Sequence, residues 1–296
     1  MYEVCFPDRD TLLEFRRRKE VEPAYKWFDD FNNVLGGIYN GQVLVIGGGQ
    51  NAGKTTLALN ILHKVASQGK VAGYISTEME KDAILKRLSG RDDVVGCKYN
   101  ILDSSTKAAT LRVATDMYSP KFYGDKLDDN DIVILDYLRT DELDAVAGSR
   151  IMSSLAREWK EFASKKQKPV VIFAQIKDFE DEERFSEFKD FWYSTSLTFA
   201  VDAAMCVRHV VDDGETVHLC CDTLKTRNAQ KGQSSRSRFF IGYRYETYEI
   251  VSQSKIVSKL EAKEFYKKYK KDLTTFDNSP REKFRKLVSE VRNEEL

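Results

Sequence analysis

The chain has 296 residues, enough for one sizeable domain or two small ones. Its 47 Lys plus Arg balance 47 Asp plus Glu, so no global field draws in a polyanion, and any nucleic-acid contact needs a local basic surface. With 42% hydrophobic residues and only five prolines, collagen-like, low-complexity and disulfide-scaffold chains are excluded.

The periodicity predicts a first helix over 8–20, with Asp8 or Asp10 as N-cap and Leu12, Leu13 and Phe15 on its apolar side. Its far end, Arg16-Arg17-Arg18-Lys19, reads either as a solvated helix end matched to the helix dipole or as an arm that docks on a neighbouring subunit or touches phosphate. Pro23 ends it. From Tyr25 to about Tyr248, strand-like apolar runs alternate with helical stretches, which implies βαβ units and a mainly parallel sheet. The strands expected there are 43–47, 71–76, 132–136 and 170–175, each ending in polar residues. In open α/β sheets ligands bind beyond the carboxyl ends of strands, so chemistry is expected at those endings.

Strands at 203–211 and 215–222 flank Asp212-Asp213-Gly214, a hairpin signal. A further pair at 237–241 and 246–251 makes the late sheet antiparallel. Helices over 254–271 and 280–293 are expected in the tail, whose 12 Lys plus Arg exceed its 8 Asp plus Glu from Val251 onward. That tail reads as a solvated appendage. The division is thus an arm at 1–24, an α/β domain at 25–251 and a helical tail at 252–296.

Cys5, Cys97, Cys206, Cys220 and Cys221 show no CxxC spacing, which predicts reduced thiols and a cytoplasmic setting. His63, His209 and His218 add no metal-ligand spacing. The start, MYEVCFPDRD, lacks the basic and apolar regions of a signal peptide, and no apolar run is long enough to span a membrane. A soluble protein with no membrane partner is expected.

The segment Gly48-Gly49-Gln50-Asn51-Ala52-Gly53-Lys54-Thr55 matches G-x-x-x-x-G-K-[ST] between an expected strand and an expected helix at 55–67. Glycines let backbone N–H groups wrap a phosphate, and the helix N-terminus adds partial positive charge. The cradle would comprise Gly48, Gly49, Asn51, Ala52, Gly53, Lys54, Thr55 and Thr56. Lys54 would reach the β and γ phosphates of ATP, and Thr55 would ligate Mg²⁺. Asp136, at the carboxyl end of its strand, supplies the second metal carboxylate, whereas Asp131 at the strand start reads as solvated or capping. Glu78, beyond the strand at 71–76, is either the group that activates water or merely an acidic helix start. Gln175 closes an apolar strand, where it senses the γ-phosphate or caps a turn.

Together these segments resemble the ATPase domain of DnaB-type replicative helicases, of the RecA-like superfamily. Residues 28–35 with Gly37, Gly41 and Gln42 resemble that family's lead-in to the first core strand. Ser76-Thr77-Glu78-Met79 is similar to its S-L-E-M element, Asp136-Tyr137-Leu138 to its D-Y-L signature, Phe173-Ala174-Gln175 to its sensor strand, and Lys225-Thr226-Arg227-Asn228 to its K-x-R-N element. The resemblance implies a RecA-like P-loop ATPase core with a mainly parallel sheet and an antiparallel extension. It makes Glu78 the catalytic base and Gln175 the sensor. Lys225 and Arg227 become cations that reach a γ-phosphate held by the adjacent subunit; taken alone they read as an ordinary basic strand end. Isolated subunits should then be nearly idle, and head-to-tail contacts should close a ring, in the family a hexamer.

The likeness covers roughly 25–251 and departs in three places. The family's amino-terminal helical domain has no counterpart, leaving the helix at 8–20 to stand in for a linker. The stretch between Glu78 and Asp136 is short. The segment 190–205, aligned with the family's DNA loops, keeps Ser194, Ser196, Asp202 and Met205, but has Trp192, Tyr193, Thr198 and Phe199 at its usual arginine and acidic positions. Lys177, Arg184, Lys189, Trp192 and Tyr193 could combine cations and stacking platforms for single-stranded DNA. Asp178, Glu180, Asp181, Glu182 and Glu183 would repel it.

The function implied is an ATP- and Mg²⁺-dependent, ring-forming helicase or translocase on single-stranded DNA, of a compact phage or plasmid type. It would work in a bacterial or phage-infected cytoplasm, with a primase or helicase loader as further partner. Two alternatives stay open: a recombinase-like filament ATPase, and a nucleotide-gated loading or binding module without unwinding.

Overall fold

A computed structural model describes residues 34–91, 94–103, 116–138, 145–177, 181–191, 200–212, 214–227, 236–244 and 247–274. The helix expected at 8–20, Asp178, Glu180, Trp192, Tyr193, Asn228 and the helix expected at 280–293 lie outside these residues.

Ten strands form one sheet: β1 Val43–Gly48, β2 Val71–Ser76, β3 Lys98–Asp103, β4 Ile132–Leu138, β5 Val170–Gln175, β6 Ala203–Asp212, β7 Thr216–Thr226, β8 Ser237–Arg244, β9 Ile250–Gln253 and β10 Val257–Ser258. The helices are α1 Lys54–Ala66, α2 Lys81–Ser89, the single turn α3 Pro120–Tyr123, α4 Ala145–Lys166 and α5 Ala262–Thr274. The strand order is β10-β8-β7-β6-β1-β5-β4-β2-β3, with β9 also pairing β8. From β3 across to β6 every pairing is parallel; from β6 to β10 every pairing is antiparallel. This is the mainly parallel sheet with an antiparallel extension that the sequence predicts.

The central strands read as unbroken apolar runs because both faces are covered. Side chains alternate across a strand, so Leu44, Ile46, Tyr74, Ile134 and Phe173 pack under Leu57, Ile61 and Val65 of α1. Their neighbours Val43, Val45, Val133, Leu135 and Ile172 pack on the other face against Met152, Leu155 and Trp159 of α4. Each such burial stabilises by roughly 1.5–3 kcal/mol, enough to fix the register of β1 between β5 and β6. Asp131 accepts the amide of Val71 at 2.8 Å, capping the start of β2.

Two features differ from expectation. The strand β3 escapes the periodicity because Lys98, Asn100 and Asp103 interrupt a sheet edge whose one fully buried residue is Ile101. The tail is no solvated appendage in its first part. The sequence predicts one helix over 254–271, but β9 and β10 extend the sheet, so the boundary at 251 falls inside β9, and the helix begins at Ala262. Tyr266 of α5 is buried with Phe240, Val210 and Cys220, and Tyr269 stacks on Phe240 with centroids 4.0 Å apart. Aromatic anchoring explains why α5 packs on the sheet despite its lysines.

Beneath α5 a charged cluster is wholly enclosed. Asp222 accepts from Arg238 Nε at 2.5 Å and Nη2 at 2.8 Å, from Arg208 Nη2 at 3.0 Å, and from Ser186 N and Oγ at 2.8 and 2.7 Å. Arg238 also donates to the carbonyls of Glu183, Arg184 and Ala262, so one buried pair fastens the segment after β5 and the start of α5 to the sheet. Burial alone would raise the Asp222 pKa, but the hydrogen bonds and charges of Arg238 and Arg208 hold it below the usual carboxylate value. Among the described cysteines, Cys97, Cys206, Cys220 and Cys221 are free thiols. No described helix is long and apolar enough to cross a membrane.

Candidate functional site

The loop from β1 to α1 turns because three of its residues adopt or tolerate unusual backbone or close approach. Gly53, the N-cap of α1, has φ +81, and Asn51 has φ +57, a region that asparagine visits more readily than most residues. A Cβ on Gly48 would lie 2.7 Å from Lys54 Cγ, so the glycine makes room for that side chain. Lys54 is buried and donates to the carbonyls of Gly48 at 3.0 Å and Gly49 at 2.8 Å, with its ammonium 4.9 Å from the Tyr137 ring centroid. Burial lowers its pKa, while Asp136 and Glu78 act in the opposite direction.

Register brings the other residues to the same edge. Gly48 pairs with Gln175 at the ends of β1 and β5, and Ser76 pairs with Asp136 across β2 and β4. A cavity of about 760 Å³ opens there, lined by Asn51, Ala52, Gly53, Lys54, Thr55, Thr56, Glu78, Gln175, Arg87, Tyr137, Tyr243 and Tyr248 among others. The sequence singles out Lys54, Thr55, Glu78 and Gln175 at strand ends, and the fold gathers them around one space.

Asp136 sits buried behind this lining. Its Oδ2 accepts from Tyr74 Oη at 2.5 Å, whereas its Oδ1 is enclosed without a hydrogen-bond partner in the structure. Burial raises its pKa, as does Glu78, while hydrogen bonding from Tyr74 and Thr55 and the charge of Lys54 favour the ionised form. A buried carboxylate with one oxygen left over is suited to a cation or its water shell, because that charge would offset the desolvation of the anion. The donor set, a hydroxyl and a carboxylate beside a glycine-rich loop, fits oxygen-seeking Mg²⁺.

Arg87, Tyr243 and Tyr248 are not anticipated by the sequence. Tyr248 holds φ +57, its carbonyl accepts from Asn60 Nδ2 at 2.5 Å and Arg91 Nη2 at 3.1 Å, and Arg87 lies 5.4 Å from its ring centroid. The available signal is weak: a tyrosine in the β8–β9 turn has no spacing relationship to the loop at Lys54.

Lys225 and Arg227 lie elsewhere. Lys225 donates to Val201 O at 2.6 Å and Arg227 pairs with Asp202 at 2.9 Å. Asp202 also accepts the amide of Val43 at 2.9 Å and the ammonium of Lys160 at 2.8 Å, which places this cluster at the start of β1, whereas Lys54 is at its end. β1 has six residues, about 20 Å at ~3.3 Å per residue. Asp202 and Met205, aligned above with DNA loops, are instead a buried ion-pair centre and a core residue.

The proposed DNA contacts fare unevenly. Arg184 forks onto buried Asp190, Nη1 to Oδ2 at 3.0 Å and Nη2 to Oδ1 at 2.6 Å, so it shapes its own loop rather than offering its charge to phosphate. Lys189 pairs with Glu187 at 2.9 Å, both partly exposed, and Lys177 is exposed. The acidic run has partners too: Asp181, Glu182 and Glu183 pair with Lys263, Lys267 and Lys270 of α5 at 2.6 to 3.9 Å. Chain folding thus offsets the excess charge of the tail against that of the segment after β5.

Residues 25–117 match the family model described as the DnaB-like helicase C terminal domain. No curated protein sequence matches the chain. Among solved structures, the chain is similar to the ATPase domain of a phage helicase, with 16% identity and a TM-score of 0.58 over 82% of this chain and 96% of that one. It is likewise similar to a structure of a DnaB-like replicative helicase and its interactions with primase, with 17% identity and a TM-score of 0.59. That match spans 82% of this chain and 66% of that one. At these identities the structures establish the fold, and it is the RecA-like core of DnaB-type ATPase domains.

Proposed function

We propose that the chain is an ATP-driven motor of the DnaB-like helicase type, acting on single-stranded DNA as a ring in which each nucleotide is shared by two subunits. The observation that carries the reading is a division of the required groups. Lys54, Thr55, Glu78 and Gln175 gather around one cavity with Asp136 behind it, while Lys225 and Arg227 lie at the far edge of the same sheet. A cation about one strand length from its own loop cannot assist there, but it can reach the cavity of a second copy packed head to tail.

In this reading the loop amides and Lys54 bind the β and γ phosphates, and Thr55 and Asp136 hold Mg²⁺, which when bound neutralises phosphate charge. Glu78 takes the proton of the water that attacks the γ-phosphorus, and ADP departs with the bridging oxygen. Gln175, hydrogen-bonded through its strand to the loop, registers whether the γ-phosphate is present. Lys225 and Arg227 of the adjacent copy stabilise the charge that develops, an effect worth roughly 10³ to 10⁵ in rate for an arginine supplied in trans. The test is the ATPase rate against protein concentration, with and without single-stranded DNA. Specific activity that rises with concentration and with DNA supports the motor.

A second reading, a nucleotide-gated loading or binding module, is favoured by one observation. The segment after the sensor strand is occupied internally, Arg184 by Asp190 and the acidic run by α5. Turnover that is indifferent to added DNA would select it.

A further inference from the structure

We infer that Tyr74 and Thr77 are positioning residues that set the two carboxylates of the site, Tyr74 by pinning one oxygen of Asp136 and Thr77 by locking the backbone that carries Glu78 to the strand that carries Asp136. The inference rests on the nucleotide and metal reading of this cavity.

Tyr74 points to the α1 face of β2, pairs in register with Ile134, and reaches diagonally to the side chain two residues further along β4. It is fully buried, and its hydroxyl lies 2.5 Å from Asp136 Oδ2. Burial and the neighbouring Asp136 anion keep the phenol protonated, so the hydroxyl donates and the carboxylate accepts. With Oδ2 engaged, the carboxylate cannot swing freely, and Oδ1, enclosed without a partner in the structure, is the oxygen left for a cation's water shell. A phenylalanine at 74 would preserve the packing and remove only the pin.

Thr77 works at the next level. Its amide donates to Asp136 O at 3.0 Å, its hydroxyl donates to Tyr137 O at 2.8 Å, and Tyr137 N donates back to that hydroxyl at 3.2 Å. These bonds join the end of β2 to the end of β4 beyond the last paired residues, Ser76 and Asp136. Glu78 is the very next residue, exposed to the cavity, so its backbone position is fixed relative to Asp136. The S-L-E-M element that this segment resembles has leucine where this chain has Thr77, and a leucine side chain can make neither hydroxyl bond. Tyr74 and Thr77 thus form one hydrogen-bonded frame around the pair of carboxylates.

The test uses the full chain and a fluorescent, non-hydrolysed ATP analogue, titrated with Mg²⁺ and with EDTA, alongside steady-state ATPase. For wild type, Mg²⁺ tightens binding. Loss of an outer-shell partner typically costs roughly 10- to 100-fold in metal affinity, so Tyr74→Phe should raise the Mg²⁺ concentration for half-maximal tightening by that range while leaving the affinity in EDTA unchanged. Thr77→Val should lower kcat at unchanged analogue affinity, and Thr77→Ser, which keeps the hydroxyl, should restore it. A Tyr74→Phe protein with wild-type Mg²⁺ dependence overturns the inference. So does a Thr77→Val protein with wild-type kcat, and this pair decides alone if Tyr74→Phe does not fold. Wild type that shows no Mg²⁺-linked tightening fails the cavity reading itself, an outcome separable from a failure of Tyr74 alone.

Discussion

Arg227 lies one strand length from Lys54. Arg227 pairs with Asp202, whose carboxylate takes the amide of Val43 at the start of β1, whereas Lys54 bonds the carbonyls of Gly48 and Gly49 at its end. A subunit built this way holds both halves of a phosphoryl-transfer site but cannot bring its own halves together.

Lys54→Ala removes the ammonium that spans the loop. Loss of one donor aimed at developing charge costs roughly 10²- to 10³-fold in kcat, and here ground-state phosphate binding goes as well. The expected outcome is turnover at background together with weakened nucleotide binding, read by ATPase assay and by titration of a fluorescent analogue.

Glu78→Gln separates binding from chemistry. The amide cannot accept the proton of the attacking water, so kcat should fall by roughly 10²- to 10⁴-fold with analogue affinity retained. Single-turnover quench measurements on preformed complexes check this directly. Unchanged turnover would mean that Glu78 only starts the path to α2.

Asp222→Ala tests what holds the antiparallel half together. It strands Arg238 and Arg208 in a buried place, and breaking such a pair costs about 3–5 kcal/mol, read as a lower midpoint in urea. The wild type carries a matching pH signature. Because the folded pKa of Asp222 is held below its unfolded value, the stabilisation is fully present above the unfolded carboxylate pKa, about 3.9. It is lost as pH falls through the lower folded value. Urea midpoints should therefore drop below about pH 4 in wild type, and this component of the drop should be missing in the variant.

Tyr266→Ala tests the docking of α5. Emptying a buried aromatic position costs about 3–5 kcal/mol, and Tyr266 is buried against Phe240 beside Arg208. A loosened helix should also expose Phe240 to solvent, visible as faster amide exchange in β8. A variant as stable as wild type would make α5 an appendage after all.

Much of this arrangement is legible in the sequence because its signals are local. The loop at 48–55 carries its own punctuation of glycines, and the apolar strands β1, β2, β4 and β5 hold Gly48, Ser76, Asp136 and Gln175 within the polar endings expected there. The antiparallel half follows from Gly214 and the paired runs around it. What escapes depends on contacts distant in sequence. Tyr248 reaches the cavity only because Asn60 and Arg91 hold its carbonyl. Arg184 reads as a DNA contact until Asp190, six residues away, takes its guanidinium in a fork. The tail reads as solvated because lysines dominate α5, while Phe265, Tyr266 and Tyr269, which anchor it, have meaning only once β8 presents Phe240. Tyr74 reads as one more apolar strand residue, since nothing in its spacing reveals that its hydroxyl ends on Asp136.

The shared site can be tested by mixing two inactive proteins. Lys54→Ala lacks the loop cation but keeps Arg227; Arg227→Ala keeps the loop but lacks the cation lent to a neighbour. Each alone should turn over ATP at background. Mixed and allowed to exchange subunits, they should regain turnover, with a maximum near equal proportions, because a seam between the two kinds of subunit contains one intact half from each. Full activity of Arg227→Ala on its own, or a mixture that stays at background although the subunits demonstrably co-assemble, would contradict the account.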